Sequence, residues 1–395
     1  MRPLAPLALV LVLACLPPAP APRAADAWTS VVELYRQRLA DAGIVGSSLF
    51  LVRGGAIAHK AMEGYQDLAT KTPVDEHTIY HWASVTKTFT GIAIMQLRDR
   101  GLLTLDDPVV THLPELRRAH NPFGDISQVR LRHLMSHSGG FRAGTWPWGG
   151  DQPWHPFEPT RWEQIVAMLP YTDVRFEPGT RYSYSNPGVI FLGRIIEALS
   201  GDDYEVYIAK NILMPLGLTR TFFDRAPYHL VRHRSHSYTR DASGLRERPF
   251  DFDSGITVSN GGLNAPLGDM ARYVAFLLGD PRPNEAYDGV LARRSLEEMF
   301  TPQITAAAGE GGSGPDVSAG LSFFVERHHG VQLVGHSGDQ NGFISHLYLH
   351  PPSRSGYVVS FNTNTAPGLE ALRSTQAVDD AVRDAIVRGI FSTHR

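Results

Sequence analysis

The chain has almost no cysteine and very little lysine. Cys15 is the single cysteine in 395 residues, which excludes a disulfide framework. Lys60, Lys71, Lys87 and Lys210 are the only lysines, so a chance match to a lysine-containing motif is rare. Charge of neither sign is in excess, with a formal net charge of -3. That balance offers no basic patch to a nucleic acid. No run beyond the first residues approaches the roughly 18 apolar residues of a membrane helix.

What is present is a folded chain. Hydrophobic residues make up 43% and charged residues 19%, enough to bury one large core or two lobes sharing a surface. Arg2 followed by the apolar stretch Leu4 to Leu16 reads as an export signal, too short to span a bilayer. Residues 1–27, with small residues at Ala24, Ala25 and Ala27, are therefore expected to precede the folded domain, 28–395. Cys15 has two readings: a passive residue lost on cleavage, or the lipidated residue of a lipobox, Val12-Leu13-Ala14-Cys15.

Strand-like runs at 47–52 and 56–62, with Gly54-Gly55 between them, predict a hairpin. Apolar spacing predicts helices at Trp28–Ala42, Thr86–Leu97, 161–169, 188–199, 203–213 and 268–278. Strands return at about 320–327, 331–336, 343–349 and 356–362, with a helix over about 368–390. Arg142–Pro159 and Gly309–Gly320 read as loops, and the second lacks the Gly-Lys-Ser/Thr ending of a phosphate-binding loop. Strands at both ends predict one sheet built from the two termini. Its lobe is about 28–97 and 300–395, with a mostly helical lobe, about 98–299, inserted between.

Three short patterns carry chemistry. Ser84 and Lys87, at i and i+3, share one helix face, where an amine of lowered pKa could take the serine proton. Tyr184-Ser185-Asn186 lies between a turn and a helix start. His336-Ser337-Gly338 follows a strand, and Gly338 permits close backbone approach. Each pattern alone also fits a structural role: a capping serine with a solvated lysine, a buried tyrosine with a capping asparagine, a strand end with a glycine turn.

In this order the patterns resemble the signature of penicillin-binding proteins and serine β-lactamases, in the class C β-lactamase-related branch with its esterases and DD-peptidases. The resemblance extends over nearly all of residues 30–365. It includes Leu103–Val109, Leu131–Gly140, Pro215–Leu218 and Gly261-Gly262-Leu263, read as structural. It implies an α/β (α+β) fold of the β-lactamase/transpeptidase type: an antiparallel sheet flanked by helices, with the site between the lobes. It implies catalytic Ser84, Lys87 and Tyr184, with Tyr184 the favoured general base. Asn186 would hold substrate or orient Lys87. The backbone N–H groups of Ser84 and Asp339 would form the oxyanion hole, and His336, Ser337 and Gly338 would line the substrate. No cofactor or metal is implied.

His336 departs from the lysine of many members, which weakens the case for a carboxylate-bearing substrate. The expected activity is hydrolysis of a small ester, amide or peptide through a Ser84 acyl-enzyme. Esterase comes first, then D-Ala peptidase, then β-lactamase. The alternative is a non-catalytic sensor or scaffold on the same fold. Trp146, Trp148, Trp154 and Trp162 could form an aromatic wall or pack on themselves. His229, His233 and His236 read as surface groups, and His328-His329-Gly330 as a hairpin turn.

Overall fold

A computed structural model of the chain describes residues 24–141, 159–250, 253–279, 284–306, 316–365 and 374–392. Most of the leader, with Cys15, lies outside these residues, as do Trp146, Trp148 and Trp154 and most of the Gly/Ser-rich run after Gly309.

The first helix, α1, spans Ala24–Ala42 and overlaps the small-residue run expected to be cleaved. Then come β1 (Gly46–Arg53), β2 (Ala56–Asp67) and β3 (Thr72–Pro73). The helix α2 spans Thr86–Asp99, α3 Asn186–Ser200 and α4 Leu267–Leu278. The C-terminal part supplies β4 (Ile304–Thr305), β5 (Val317–Ala319), β6 (Phe324–His328), β7 (Val331–Gln340), β8 (Phe343–His350) and β9 (Ser355–Phe361). The last helix, α5, spans Thr375–Ile386.

The nine strands form one antiparallel sheet, ordered β3-β2-β1-β9-β8-β7-β6-β5-β4. The chain ends meet where β1 pairs with β9, Ser47 opposite Phe361. Side chains alternate between the faces. Leu49 and Leu51 join Tyr35, Val359, Val382 and Ile386 in the core under α1 and α5. Phe50 and Val52 join Phe89, Met270, Val274 and Val358 on the other face. Because both faces are covered, β1 reads as a continuous apolar run rather than an alternation.

Short strands add to this outline. Leu263–Pro266 and Phe222–Phe223, within the mostly helical lobe, form a small antiparallel sheet with Ile79–His81, which precedes it. In a further small sheet Tyr238–Asp241 pairs antiparallel with Gly244–Glu247 and parallel with Thr363–Thr365. Strands of two to four residues are too short for a period-2 signal. Within 309–320, Val317–Ala319 is a strand rather than a loop. The turn at His329 and Gly330 is as expected, both with positive φ.

Candidate active site

The turn that carries Ser84 is fixed from two directions. Ahead of it, His81 pairs with Asn264 in the small sheet. Trp82 N–H donates to Leu263 O at 2.8 Å, and its indole N–H donates to Ala265 O at 2.9 Å. Behind it, Thr86 Oγ1 donates to Ala83 O at 2.6 Å and accepts from Leu263 N–H at 3.1 Å. Ala83 has φ +45, a left-handed conformation that costs a residue with a β-carbon about 1–3 kcal/mol. The chain bends sharply there and leaves Ser84 half-buried in a 3₁₀ turn, Ala83–Val85, at the entrance to α2. Ser84 does not cap α2: that position is Val85, with no side-chain cap bond.

Lys87 is not solvated; it is fully buried. Its Nζ lies 2.9 Å from Ser84 Oγ and donates to the carbonyl oxygen of Asn260 at 2.7 Å. Burial holds its pKa well below the ordinary lysine value. Tyr184 hydrogen-bonds Ser84, and Lys87 Nζ sits 5.1 Å from the phenol ring centre. Burial raises the phenol above its ordinary value, and the bond to Ser84 offsets only part of this. A ready tyrosinate, as expected of a general base, is therefore opposed by its surroundings.

Asn186 is not the helix cap. Ser185 takes that role, its Oγ accepting from Gly188 N–H at 3.1 Å. Asn186 Oδ1 is left buried without a hydrogen-bond partner among the described residues. The bond that orients Lys87 goes to Asn260 instead, beside a Gly-Gly-Leu motif read as structural. Its signal is a main-chain carbonyl, which no side-chain pattern can announce.

The run His336-Ser337-Gly338 is not a strand end, because β7 continues to Gln340. Pairing with β6 stops at Gly335, and β7 runs on beside β8 alone. Gly338 is required: a β-carbon there would come 2.2 Å from Trp82 O, two residues before Ser84. Ser345 Oγ donates to the same oxygen at 3.1 Å. This close approach brings Ser84 and β7, with Asp339, into one site. The Asp339 carboxylate accepts from Asn364 at 2.6 Å.

His336 is buried, its ring centre 6.4 Å from that of Tyr184 and 5.1 Å from that of Phe324. Its Nδ1 lies 2.6 Å from Ser337 O, which places a proton on Nδ1. Nε2 is then an acceptor, and it has no hydrogen-bond partner among the described residues. Burial, and after it the charge of Lys87, lower its pKa to about 3. The position is neutral in the working range of pH.

Residues 31–381 match the Beta-lactamase family. The chain belongs to that family. Protein flp of Staphylococcus aureus (strain COL) is 26% identical over 356 residues, covering 90% of this chain and 67% of flp. Penicillin-binding protein 4* of Bacillus subtilis (strain 168) is 24% identical over 310 residues, covering 75% of this chain and 63% of that protein. Among solved structures, the octameric penicillin-binding protein homologue from Pyrococcus abyssi superposes with a TM-score of 0.73 at 28% identity, over 92% of this chain and 79% of the homologue. A class C beta-lactamase superposes with a TM-score of 0.74 at 18% identity, over 92% and 96% of the two chains. The β-lactamase fold expected from the three motifs is thus the fold observed.

Other family-independent candidates lie elsewhere. Trp162 packs edge-on against Phe191 and bonds Glu115 at 3.4 Å, as part of the core rather than a substrate wall. His236 pairs with Glu247 at 2.6 Å, and His233 meets His77 edge-on. No group of three or more metal-ligating side chains occurs among the described residues, and no described helix is long and apolar enough to cross a membrane.

Proposed function

We propose that this β-lactamase-family chain is a serine hydrolase that cleaves small uncharged esters through an acyl-enzyme on Ser84. The carrying observation is the fully buried Lys87, 2.9 Å from Ser84 Oγ. A neutral amine has a lone pair for the serine proton, and Asn260 O holds one of its N–H groups so that the lone pair can face Ser84.

Ser84 Oγ attacks the carbonyl carbon as its proton passes to Lys87. The tetrahedral oxyanion is met by the backbone N–H groups of Ser84 and Asp339. Tyr184 stays protonated and gives its hydrogen to the departing oxygen, then regains one from the Lys87 ammonium. A water then attacks the acyl carbon, its proton passing through Tyr184 and Lys87 to the departing Ser84 Oγ. Asn186, whose Oδ1 has no partner among the described residues, serves the substrate.

The ester preference comes from His336. A neutral imidazole supplies no fixed charge for a carboxylate, so β-lactams and C-terminal D-Ala peptides lose the attraction a lysine would give. Mass spectrometry after mixing with a p-nitrophenyl ester, a D-Ala-D-Ala peptide and a cephalosporin tests the reading. The expected result is an acyl adduct on Ser84, formed fastest from the ester. No adduct from any of the three, and none with a fluorophosphonate, removes the hydrolase reading.

A further inference from the structure

One residue takes both backbone amides that flank Tyr184. Ser183 N–H donates to the carbonyl oxygen of His137 at 2.8 Å. Ser185 N–H donates to Nδ1 of the same histidine at 3.1 Å. The imidazole also lies against the phenol, ring centres 4.4 Å apart and planes 30° apart. Tyr184 is thus gripped before, after and across its ring by a residue 47 positions earlier in the chain.

The grip has specific requirements. His137 has φ +55, a conformation that a β-carbon disfavours. It is held there by the helical turn before it: Ser138 N–H donates to His133 O at 2.8 Å, and His137 N–H to Leu134 O at 3.3 Å. An Nδ1 that accepts a hydrogen bond carries no proton, so the ring must be neutral with its hydrogen on Nε2. Burial, and then the neighbouring Lys87 and His336, hold the imidazole in that neutral form. A phenylalanine would preserve the ring contact and lose the acceptor.

We propose that His137 is the positioning residue of Tyr184, fixing its phenol over Ser84 through the paired bonds to Ser183 and Ser185. The proposal rests on the Ser84 hydrolase reading and deepens it. A nucleophile and its proton partners act as a unit only when a further group fixes their orientation. Tyr184 sits in a loop, so its own element does not supply that rigidity. Leu131–Gly140, read from the sequence as connecting structure, then acts on the chemistry at one residue.

The test compares His137→Phe, which keeps an aromatic ring, with His137→Asn, which keeps a side-chain acceptor. Each is made in the wild-type chain and in Tyr184→Phe. A 1 Å misplacement of a catalytic group can cost about 10²-fold, so His137→Phe is expected to lower kcat by about that factor with KM nearly unchanged. His137→Asn should retain more kcat than His137→Phe. In the Tyr184→Phe background His137→Phe should add little, because a residue acting through Tyr184 has nothing left to position. Amide hydrogen exchange over residues 183–185 should quicken in His137→Phe.

Equal kcat losses in both backgrounds, or a lower kcat for His137→Asn than for His137→Phe, overturns the proposal. If His137→Phe does not fold, the double-mutant comparison is made with His137→Asn, whose loss of ring contact must likewise vanish in Tyr184→Phe. Fluorophosphonate labelling separates the two readings. Labelling of the wild type and of His137→Phe at one rate ends the positioning role alone. An unlabelled wild type ends both.

Discussion

The carbonyl oxygen of Asn260 accepts a 2.7 Å hydrogen bond from Lys87 Nζ. A carbonyl can hold an amine in place without stabilising its charge as a carboxylate would, so Lys87 keeps an accessible neutral form.

Lys87→Met should therefore separate activity from stability. Loss of a positioned base costs about 10²–10⁴-fold in rate, and Lys87→Arg should be equally inactive, since a guanidinium does not release its proton. In the folded chain the lysine pKa is lowered, while the unfolded chain keeps its proton up to the ordinary value. Between those two pKa values the unfolded state binds more protons, so stability rises with pH across that window. At neutral pH Lys87→Met should raise the stability by about 1–2 kcal/mol, as removal of a strained functional group commonly does. Thermal unfolding at pH 7 and pH 9 checks this, and a destabilised Lys87→Met protein contradicts it.

The same lowered pKa sets the acid limb of kcat. Activity should rise with pH as Lys87 loses its proton, reach its plateau well below the pH at which an ordinary lysine titrates, and hold there. A plateau reached only near pH 10 would mean that the burial of Lys87 does not govern the reaction.

Tyr184→Phe should leave the fold intact, because the ring contacts with His137 remain available. Turnover should fall by about 10²-fold or more, the worth of a positioned proton donor. Steady-state rates with a single p-nitrophenyl ester decide it, and equal turnover refutes the assigned role.

His336→Lys should change which substrates are preferred. An ammonium at this position gives carboxylate-bearing β-lactams an attraction that neutral esters lack. The ratio of cephalosporin to ester kcat/KM should rise by about tenfold, an interaction of about 1.4 kcal/mol. An unchanged ratio rejects His336 as the determinant.

Gly338→Ala should harm both fold and reaction. The added carbon meets Trp82 O at 2.2 Å, and overpacking of this kind costs about 1–3 kcal/mol. Since the displaced oxygen lies two residues before Ser84, kcat should fall as well. A variant with unaltered melting temperature and rate is the contrary result.

The sheet and its long helices were legible because their signals are local. Leu49–Val52 is an apolar run of strand length, and the helical spacing after Thr86 places α2 correctly to within two residues. That Ser84, Lys87 and Tyr184 come together was legible from side chains in an ordered pattern. Asn260 and the positioning part of His137 were not, because they act through a carbonyl oxygen or through bonds to backbone amides. The small sheet at Ile79, Phe222 and Leu263 escaped for a related reason: its strands are shorter than the period that reveals one. The state of His336 needed the fold too, since only burial and the Ser337 carbonyl fix its tautomer.

The pairing of Ser47 with Phe361 sets an order of events on the ribosome. The β1–β2 hairpin leaves the exit tunnel early, with one apolar edge unmatched until β9 is made at the other end of the chain. For most of synthesis that edge is open to other strands, the condition in which nascent chains aggregate. The delay also reaches Ser84: Asn260 is made only about two-thirds of the way along the chain and β7 later still, so until then the serine lacks the neighbours that surround it in the finished fold.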